Sequence, residues 1–169
     1  MKTAIIYSYN SPKSAKVAKM VINAYGEDKI ESLNTEDIDE DTFLKYDQAI
    51  LSVPTWFDGE LPNYWDEFVP AMEDFQMKGK TYAIFGLGDQ VGYPENFVDG
   101  IGIMSELLEE KGAKIVGYTD SSDYTFESSR ALKDGKFTGL ALDLENQAKK
   151  TKKRIEDWIN QIKKEGFKE

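Results

Sequence analysis

The sequence predicts an α/β protein in which a parallel β-sheet is covered by helices on both faces. Short apolar segments typical of strands alternate along the chain with longer segments that have one apolar helical face. Loops rich in polar, glycine and aromatic residues follow three of the predicted strands, at residues 8–14, 54–61 and 86–99. Parallel sheets bind ligands outside the carboxyl ends of their strands, so these loops mark the expected site. The length of 169 residues predicts one domain, residues 1–169.

The first predicted strand, residues 4–7, leads through a polar loop into a helix over residues 15–25. The first backbone N–H groups of a helix have no intrahelical partner, and the helix dipole there favours negative charge. The loop adds hydroxyl, amide and ammonium groups, so it predicts a phosphate site. An ordinary capped helix is the alternative, with Ser11 as N-cap and Pro12 in the first turn. The loop residues are Ser8, Tyr9, Asn10, Ser11, Pro12, Lys13 and Ser14.

The other predicted elements continue the alternation. Further strands are predicted over residues 29–33, 48–53, 81–86, 113–118 and 137–142, and further helices over residues 64–75, 96–111 and 145–164. Residues 34–42 are predicted as a loop or a helical turn. The apolar residues within 119–138 show no clear helical or strand periodicity, and residues 133–136 indicate a hairpin turn. Trp65 and Trp158 fall on apolar helix faces and are predicted to be core residues.

The composition excludes several kinds of chemistry. The chain has no cysteine and no histidine, which removes disulfides, thiol nucleophiles, thiolate metal sites, Ser-His-Asp catalysis and most zinc sites. No metal site and no catalytic residue is therefore predicted. A chain of this composition that performs redox chemistry must take that chemistry from a cofactor.

The charge predicts the kind of partner. The net charge of −10 argues against nucleic acid, whose phosphates require a basic face. Residues 149–169 carry eight basic and four acidic residues, which leaves about −14 on residues 1–148. Such an acidic body favours a basic protein partner, with solubility alone as the alternative. No apolar segment approaches 18 residues, and the chain begins with a strand, so we expect a cytoplasmic protein without membrane insertion.

Trp56 and Tyr93 stand in two of the three strand-end loops. Two aromatic side chains that face one crevice beside a phosphate site predict a flat ligand stacked between them. A tryptophan in such a loop is otherwise a partly buried packing residue, and this alternative stays open.

Several segments resemble long-chain flavodoxins. Residues 86–97, Gly-Leu-Gly-Asp-Gln-Val-Gly-Tyr-Pro-Glu-Asn-Phe, look like the second flavin-ring loop of that family. Pro54-Thr55-Trp56 with Gly59-Glu60-Leu61 resembles the first ring loop, and residues 134–143 with Asn146-Gln147 resemble the C-terminal stretch. Residues 119–138 match the insertion that splits the fifth strand. The resemblance covers residues 2–167. It implies a flavodoxin-like three-layer sandwich whose five-stranded parallel sheet has the order 2-1-3-4-5.

The resemblance implies that FMN binds noncovalently. Trp56 and Tyr93 would sandwich the ring, and the peptide between Phe57 and Asp58 would reorient on reduction, with Gly59 easing the turn. The phosphate loop departs from the family, because Tyr9 replaces a hydroxyl residue and Pro12 replaces a glycine, although Ser11 and Ser14 keep their hydroxyls. The further cofactor residues implied are Pro54, Thr55, Gly86, Leu87, Gly88, Asp89, Asn96, Phe97, Asp99 and Glu145.

The function implied by the resemblance is that of a monomeric electron carrier, not an enzyme. Its partners would be basic redox proteins, such as a ferredoxin-NADP reductase-like protein, a photosystem I-like complex or another ferredoxin-dependent enzyme. The aromatic stack and nearby acidic residues would make the semiquinone/hydroquinone couple of the flavin strongly reducing; the acidic residues are Asp58, Glu60, Asp89 and Glu95.

Two other functions fit this class of fold. The first is a flavin-dependent NAD(P)H:quinone reductase, which usually needs an open substrate pocket and an oligomer. The second is a phospho-receiver domain, which needs an acidic pair after the first strand and an aspartate after the third. This chain has Ser8-Tyr9 and Pro54-Thr55 at those places, which argues against the receiver domain.

Overall fold

The computed structural model describes residues 2–168 and contains one large parallel sheet with helices on both faces. The strands are β1 (Thr3–Tyr7), β2 (Ile30–Asn34), β3 (Gln48–Ser52), β4 (Thr81–Leu87), β5 (Lys114–Val116), β6 (Thr119–Asp120), β7 (Leu132–Lys133), β8 (Lys136–Phe137) and β9 (Leu140–Leu142). The helices are α1 (Pro12–Tyr25), α2 (Glu40–Leu44), α3 (Asn63–Asp66), α4 (Val69–Met72), α5 (Asp99–Glu110) and α6 (Thr151–Glu165). The strand order β2-β1-β3-β4-β5 confirms the predicted topology.

The fifth strand is split, as predicted. β5 pairs with the first half of β4 and β9 pairs with the second half, both in parallel, so the two strands share one position in the sheet. Between them β6, β8 and β7 form a small antiparallel sheet, whose β7–β8 hairpin turns at Asp134 and Gly135 with positive φ angles. Gly139 precedes β9, and a β-carbon there would meet the Ile84 carbonyl oxygen. Glycine therefore lets β9 lie directly against β4.

Two apolar layers enclose the sheet. Helices α1 and α6 bury one face, where Val21 and Trp158 are almost fully shielded from solvent. Helix α5 and the short helices α2, α3 and α4 cover the other face, where Trp65 is fully buried. Trp65 and Trp158 are thus core residues, as predicted, and each indole N–H donates to a backbone carbonyl. Within residues 2–168 no helix has the length and apolar character needed to cross a bilayer.

The predicted helix over residues 64–75 is wrong in its extent, because the chain forms two single turns, α3 and α4. Pro70 explains the interruption. Proline has no N–H to donate to the carbonyl four residues earlier, so a continuous helix would lose a hydrogen bond at this point. Proline is tolerated in the first turn of a helix, and Pro70 stands in the first turn of α4.

Two predicted helices begin later than expected. Helix α5 begins at Asp99 instead of residue 96, because Val98 adopts a left-handed conformation with φ of 49°. Helix α6 begins at Thr151 instead of residue 145, because the Asp143 carboxylate accepts the N–H groups of Glu145 and Asn146 in a turn. The predicted strand over residues 137–142 is likewise divided between β8 and β9.

Candidate functional site

A crevice of about 680 Å³ opens at the carboxyl ends of β1, β3, β4 and β9. Its volume lies within the range of about 300–1,000 Å³ that is usual for cofactor and ligand pockets. The residues that line it are Asn10, Ser11, Pro12, Lys13, Ser14, Pro54, Thr55, Trp56, Leu87, Gly88, Asp89, Tyr93, Leu144 and Glu145. An adjoining recess shares several of these residues and adds Phe57, Asn96, Phe97 and Val98. The three loops singled out in the sequence therefore converge.

The start of α1 forms one end of the crevice and offers hydrogen-bond donors to an anion. The Ala15 N–H is the first in α1 to be satisfied within the chain, by the Ser11 carbonyl at 2.8 Å. The N–H groups of Lys13 and Ser14 come before it and form no hydrogen bond within residues 2–168. Ser11 is extended, but its hydroxyl does not cap the helix, so these two N–H groups remain available to a bound anion.

Lys13 adds a cation at the same end. Its ammonium group forms an ion pair with the Glu145 carboxylate, which reaches it from the loop after β9. The hydrogen bond to Glu145 raises the Lys13 pKa above its ordinary value, because it stabilises the charged ammonium form. Both side chains are exposed and both line the crevice, so this ion pair spans one of its edges.

The other end of the crevice is bounded by aromatic side chains. Trp56 is partly buried, and its ring packs edge-on against the Tyr64 ring at 5.7 Å between centroids. Its backbone exchanges two hydrogen bonds of 2.8 Å with Glu60, which closes the loop between them into a tight hairpin. Tyr93 stands across the crevice on the loop after β4 and is 56% exposed. Two aromatic rings are therefore available to a flat ligand.

Asp89 organises the loop that carries Tyr93. One carboxylate oxygen accepts the N–H groups of Val91 at 3.1 Å and Gly92 at 2.7 Å, and also the amide of Asn146 at 2.8 Å. These hydrogen bonds, that from Gly92 foremost, lower the Asp89 pKa below its ordinary value. The Tyr93 N–H donates to the Asp89 carbonyl at 2.9 Å. The Asp89 carboxylate thus stabilises the conformation of this loop and also places a negative charge in the wall of the crevice.

The loop after β3 is locked onto α5. The Thr55 hydroxyl accepts the Gly100 N–H at 2.8 Å, in the first turn of a helix whose own N-cap residue provides no side-chain cap. Gly59 has a φ of 90°, and a β-carbon there would lie 2.6 Å from the Asp99 carboxylate. Glycine thus lets this loop approach the start of α5 closely, and together with Thr55 it anchors the loop that carries Trp56.

These loops can be compared with those of known proteins. The family profile for flavodoxin matches residues 5–158. A flavodoxin from Nostoc sp. (strain PCC 7120) is 37% identical over 164 residues, which are 97% of this chain and 96% of that protein. The chain belongs to the flavodoxin family. Flavodoxin 1 from Escherichia coli K12 is 35% identical over 164 residues, 96% of this chain and 93% of that protein.

Solved structures agree with this assignment. A Fusobacterium nucleatum flavodoxin bound to flavin mononucleotide superposes on this chain with a TM-score of 0.93 at 33% identity. The match covers 99% of this chain and 100% of the Fusobacterium chain. The predicted flavodoxin-like fold is thereby confirmed, including the split fifth strand.

Some residues that the resemblance assigns to the cofactor site line neither the crevice nor the recess. They are Ser8, Tyr9, Asp58, Gly59, Gly86 and Asp99. Gly86 lies against the Val53 carbonyl inside the sheet, and Asp99 is buried and accepts the Arg130 N–H at 2.8 Å. Tyr9 is 47% exposed, with its ring 4.9 Å from the Tyr7 ring. In this structure these residues lie next to lining residues but do not themselves line the crevice or the recess.

Other residues of the site were not predicted. Leu144 lines the crevice and Val98 lines the recess. Leu144 directly precedes Glu145, and Val98 falls inside the 86–99 loop. Their places next to predicted site residues were the only feature of the sequence that could have indicated a role in the site. Glu36 contacts the phosphate loop from the acidic segment after β2. Nothing in that segment's composition distinguishes it from an ordinary solvated loop.

Proposed function

We propose that the crevice binds FMN noncovalently and that the protein carries single electrons at low potential between protein redox partners. The observation that carries this proposal is the pairing of free helix N–H groups with two aromatic walls in one crevice. The FMN bound by the Fusobacterium relative supports the choice of ligand. FMN has an anionic phosphate and a flat ring, which are the two chemistries that the two ends offer.

The residues present fit the two parts of FMN. The N–H groups of Lys13 and Ser14, with the hydroxyls of Ser11 and Ser14, would hold the phosphate. Trp56 and Tyr93 would enclose the ring and exclude water from its faces, and Glu145 would lie beside the linking chain. When bound, FMN supplies one-electron chemistry, while the protein positions it and sets its potential.

The hairpin at Trp56 suits the reorientation expected of the peptide between Phe57 and Asp58. That peptide stands at the hairpin tip, between the two hydrogen bonds that join Trp56 and Glu60, and forms no hydrogen bond within residues 2–168. Phe57 has a φ of 49°, a conformation that residues other than glycine rarely adopt. The Phe57 carbonyl is thus free to turn toward the crevice and accept a hydrogen bond.

Low potential and partner choice follow from the charge around the crevice. Asp58, Glu60 and Glu95 are exposed on the strand-end loops, and Asp89 lines the crevice. Negative charge near the ring opposes the addition of further negative charge to it, and an aromatic stack of low dielectric acts in the same direction. The same acidic rim would attract basic redox proteins of the reductase or photosystem type.

The first experiment identifies the chromophore. We expect the purified protein to be yellow and to release one FMN per chain on denaturation, as measured by absorbance and mass spectrometry of the extract. FAD, or an apoprotein that fails to take up any flavin on reconstitution, would refute the proposal.

A second experiment separates a carrier from an enzyme. We expect the reconstituted protein to exchange electrons with a basic flavoprotein reductase and to show no catalytic turnover of quinone with NAD(P)H alone. Sustained quinone turnover in the absence of a reductase would favour the quinone reductase instead.

A further inference from the structure

The loop after β1 is bound to the segment after β2 by hydrogen bonds that continue beyond the end of the sheet. β1 and β2 pair in parallel as far as Tyr7 and Asn34. Two residues beyond the end of β1, the Tyr9 N–H donates to the Asn34 side-chain oxygen at 3.1 Å. The first half of the phosphate loop is therefore held from one side by the last residue of β2.

Glu36 provides the strongest part of this connection. One of its carboxylate oxygens accepts the Ser8 hydroxyl at 3.0 Å, and the other accepts the Asn10 amide at 2.7 Å. Ser8 is 1% exposed, so its hydroxyl has little access to water as a substitute partner. Hydrogen bonds to an ionised carboxylate are stronger than neutral ones, and two of them on one group also fix its orientation.

We propose that Glu36 is a positioning residue for the phosphate loop. By holding Ser8 and Asn10, it fixes the loop in the conformation that turns the Lys13 and Ser14 N–H groups toward the crevice. A loop ordered in advance loses less conformational freedom when the ligand binds, which raises affinity. This inference rests on the proposed binding of FMN, and it assigns part of the phosphate affinity to a residue outside the crevice lining.

The charge of Glu36 acts in the opposite direction, because a carboxylate near the loop repels a phosphate. Glu36 is exposed, so solvent and salt screen this repulsion. The two hydrogen bonds, of 3.0 and 2.7 Å, are direct contacts, and the one to Ser8 is partly shielded from solvent, so they are screened less than the longer-range repulsion. We therefore expect positioning to outweigh repulsion.

The test compares FMN with riboflavin, which has the same ring and no phosphate. Apoproteins of the wild type, Glu36→Ala and Glu36→Gln are titrated with each flavin, and the quenching of flavin fluorescence gives the dissociation constants. We expect Glu36→Ala to weaken FMN binding about tenfold, equivalent to about 1.4 kcal/mol. Riboflavin affinity should change by less than about twofold, and Glu36→Gln, which keeps one acceptor oxygen, should lose less than Glu36→Ala.

Glu67→Gln is the matched control. Glu67 is an exposed carboxylate in the same shallow groove as Glu36, but its side chain forms no hydrogen bond or ion pair within residues 2–168. Its substitution removes one negative charge without touching the loop, so FMN affinity should stay within about twofold of wild type. Thermal melting of each apoprotein checks that every variant is folded.

A double mutant tests whether Glu36 acts through Ser8. If it does, adding Ser8→Ala to Glu36→Ala should cost little further FMN affinity, because the hydrogen bond is already absent. Equal or tighter FMN binding by folded Glu36→Ala would overturn the inference and show that repulsion dominates. Equal losses for FMN and riboflavin would also overturn it, since they would indicate a general distortion. If the wild type bound neither flavin, the proposed function itself would fail.

Discussion

At the scale of the residue, Pro12 is the most unusual feature of the phosphate loop. It begins α1, and Ser11 before it is extended, with φ of −104° and ψ of 99°. Proline fixes a helical φ and disfavours a helical conformation in the residue before it, so the loop is stiff. The same residue has no N–H, and it lines the crevice where a phosphate donor would be useful.

Replacement of Pro12 by glycine should separate these two effects. A hydrogen bond to a charged group contributes about 1.5–3 kcal/mol, whereas the stiffening from a compatible proline contributes about 0.4–1 kcal/mol. We expect Pro12→Gly to bind FMN more tightly while its apoprotein melts at a lower temperature. Flavin titration and thermal melting of both apoproteins measure the two effects separately. Looser FMN binding would show that stiffness, and not the number of donors, governs this loop.

The aromatic walls support a second prediction at this scale. Trp56→Ala and Tyr93→Ala should each weaken FMN binding by about 1–3 kcal/mol, by analogy with the stacking of nucleic-acid bases on aromatic side chains. Each should also raise the midpoint potential for the second electron, because the ring loses an electron-rich neighbour and gains water. Titration and spectroelectrochemistry measure the two quantities. Tyr118→Ala is the control, because Tyr118 lines neither the crevice nor the recess.

At the scale of the element, the loop after β4 owes its shape to Asp89. Its carboxylate gathers the N–H groups of Val91 and Gly92, while the Tyr93 N–H bonds to the Asp89 carbonyl. The loop also joins the chain after β9, since the same carboxylate accepts the Asn146 amide. One side chain thus connects the turn that carries Tyr93 to the other side of the crevice.

This arrangement predicts a pH dependence of stability. The Asp89 pKa is lowered in the folded protein, so its stabilising contribution is complete above the ordinary carboxyl pKa of about 3.9 and is lost as pH falls through the folded value. Asp89→Asn should therefore lower the free energy of unfolding at pH 7, by about 0.5–1 kcal/mol for a solvent-screened carboxylate. The difference from wild type should shrink as the pH is lowered below 3.9. Urea unfolding of both proteins across this range measures it; a difference that does not vary with pH would contradict the assignment.

At the scale of the whole molecule, exposed acidic side chains are spread widely over the surface and include the crevice side, while basic side chains are concentrated near the C-terminus. Asp58, Glu60 and Glu95 are exposed on the strand-end loops, whereas the basic residues of the C-terminal segment lie largely on α6 and just before it. Helix α5 begins beside the loop after β3, and Glu110 stands at the far end of that helix. A basic partner is therefore expected to approach the crevice side.

Salt should slow electron transfer with such a partner. Exposed charges are screened beyond about 8–10 Å at physiological ionic strength, so long-range attraction weakens as salt is added. We expect stopped-flow rates with a basic reductase to fall as ionic strength rises, and Asp58→Asn to reduce the low-salt rate. Glu110→Gln removes the same charge far from the crevice and should change the rate less. A rate that is independent of salt would argue against electrostatic steering.

Much of the site could be predicted because it is built from contiguous segments. The polar loop at residues 8–14 and the aromatic loops at residues 54–61 and 86–99 each follow a strand, and parallel strands place such loops at one edge. The contacts of Glu36 and Asp99 could not be predicted this way. Each depends on a partner 26–31 residues away in sequence, and a local pattern carries no information about such pairings.

By itself the sequence determined the alternation of strands and helices, the strand order implied by the family resemblance, and the identity of the loops that form the crevice. The alternation and the loops follow from local periodicity and from turn and cap residues, which act over a few positions, whereas the strand order followed from the family resemblance alone. The tertiary structure decided how the starts of α5 and α6 are held, because Thr55 accepts the Gly100 N–H and Asp143 accepts the backbone N–H and side-chain amide of Gln90, each from a distant part of the chain. It also decided which loop residues face the crevice. That choice depends on distant donors and acceptors such as Ser8 and Glu36, which meet only when the chain has folded.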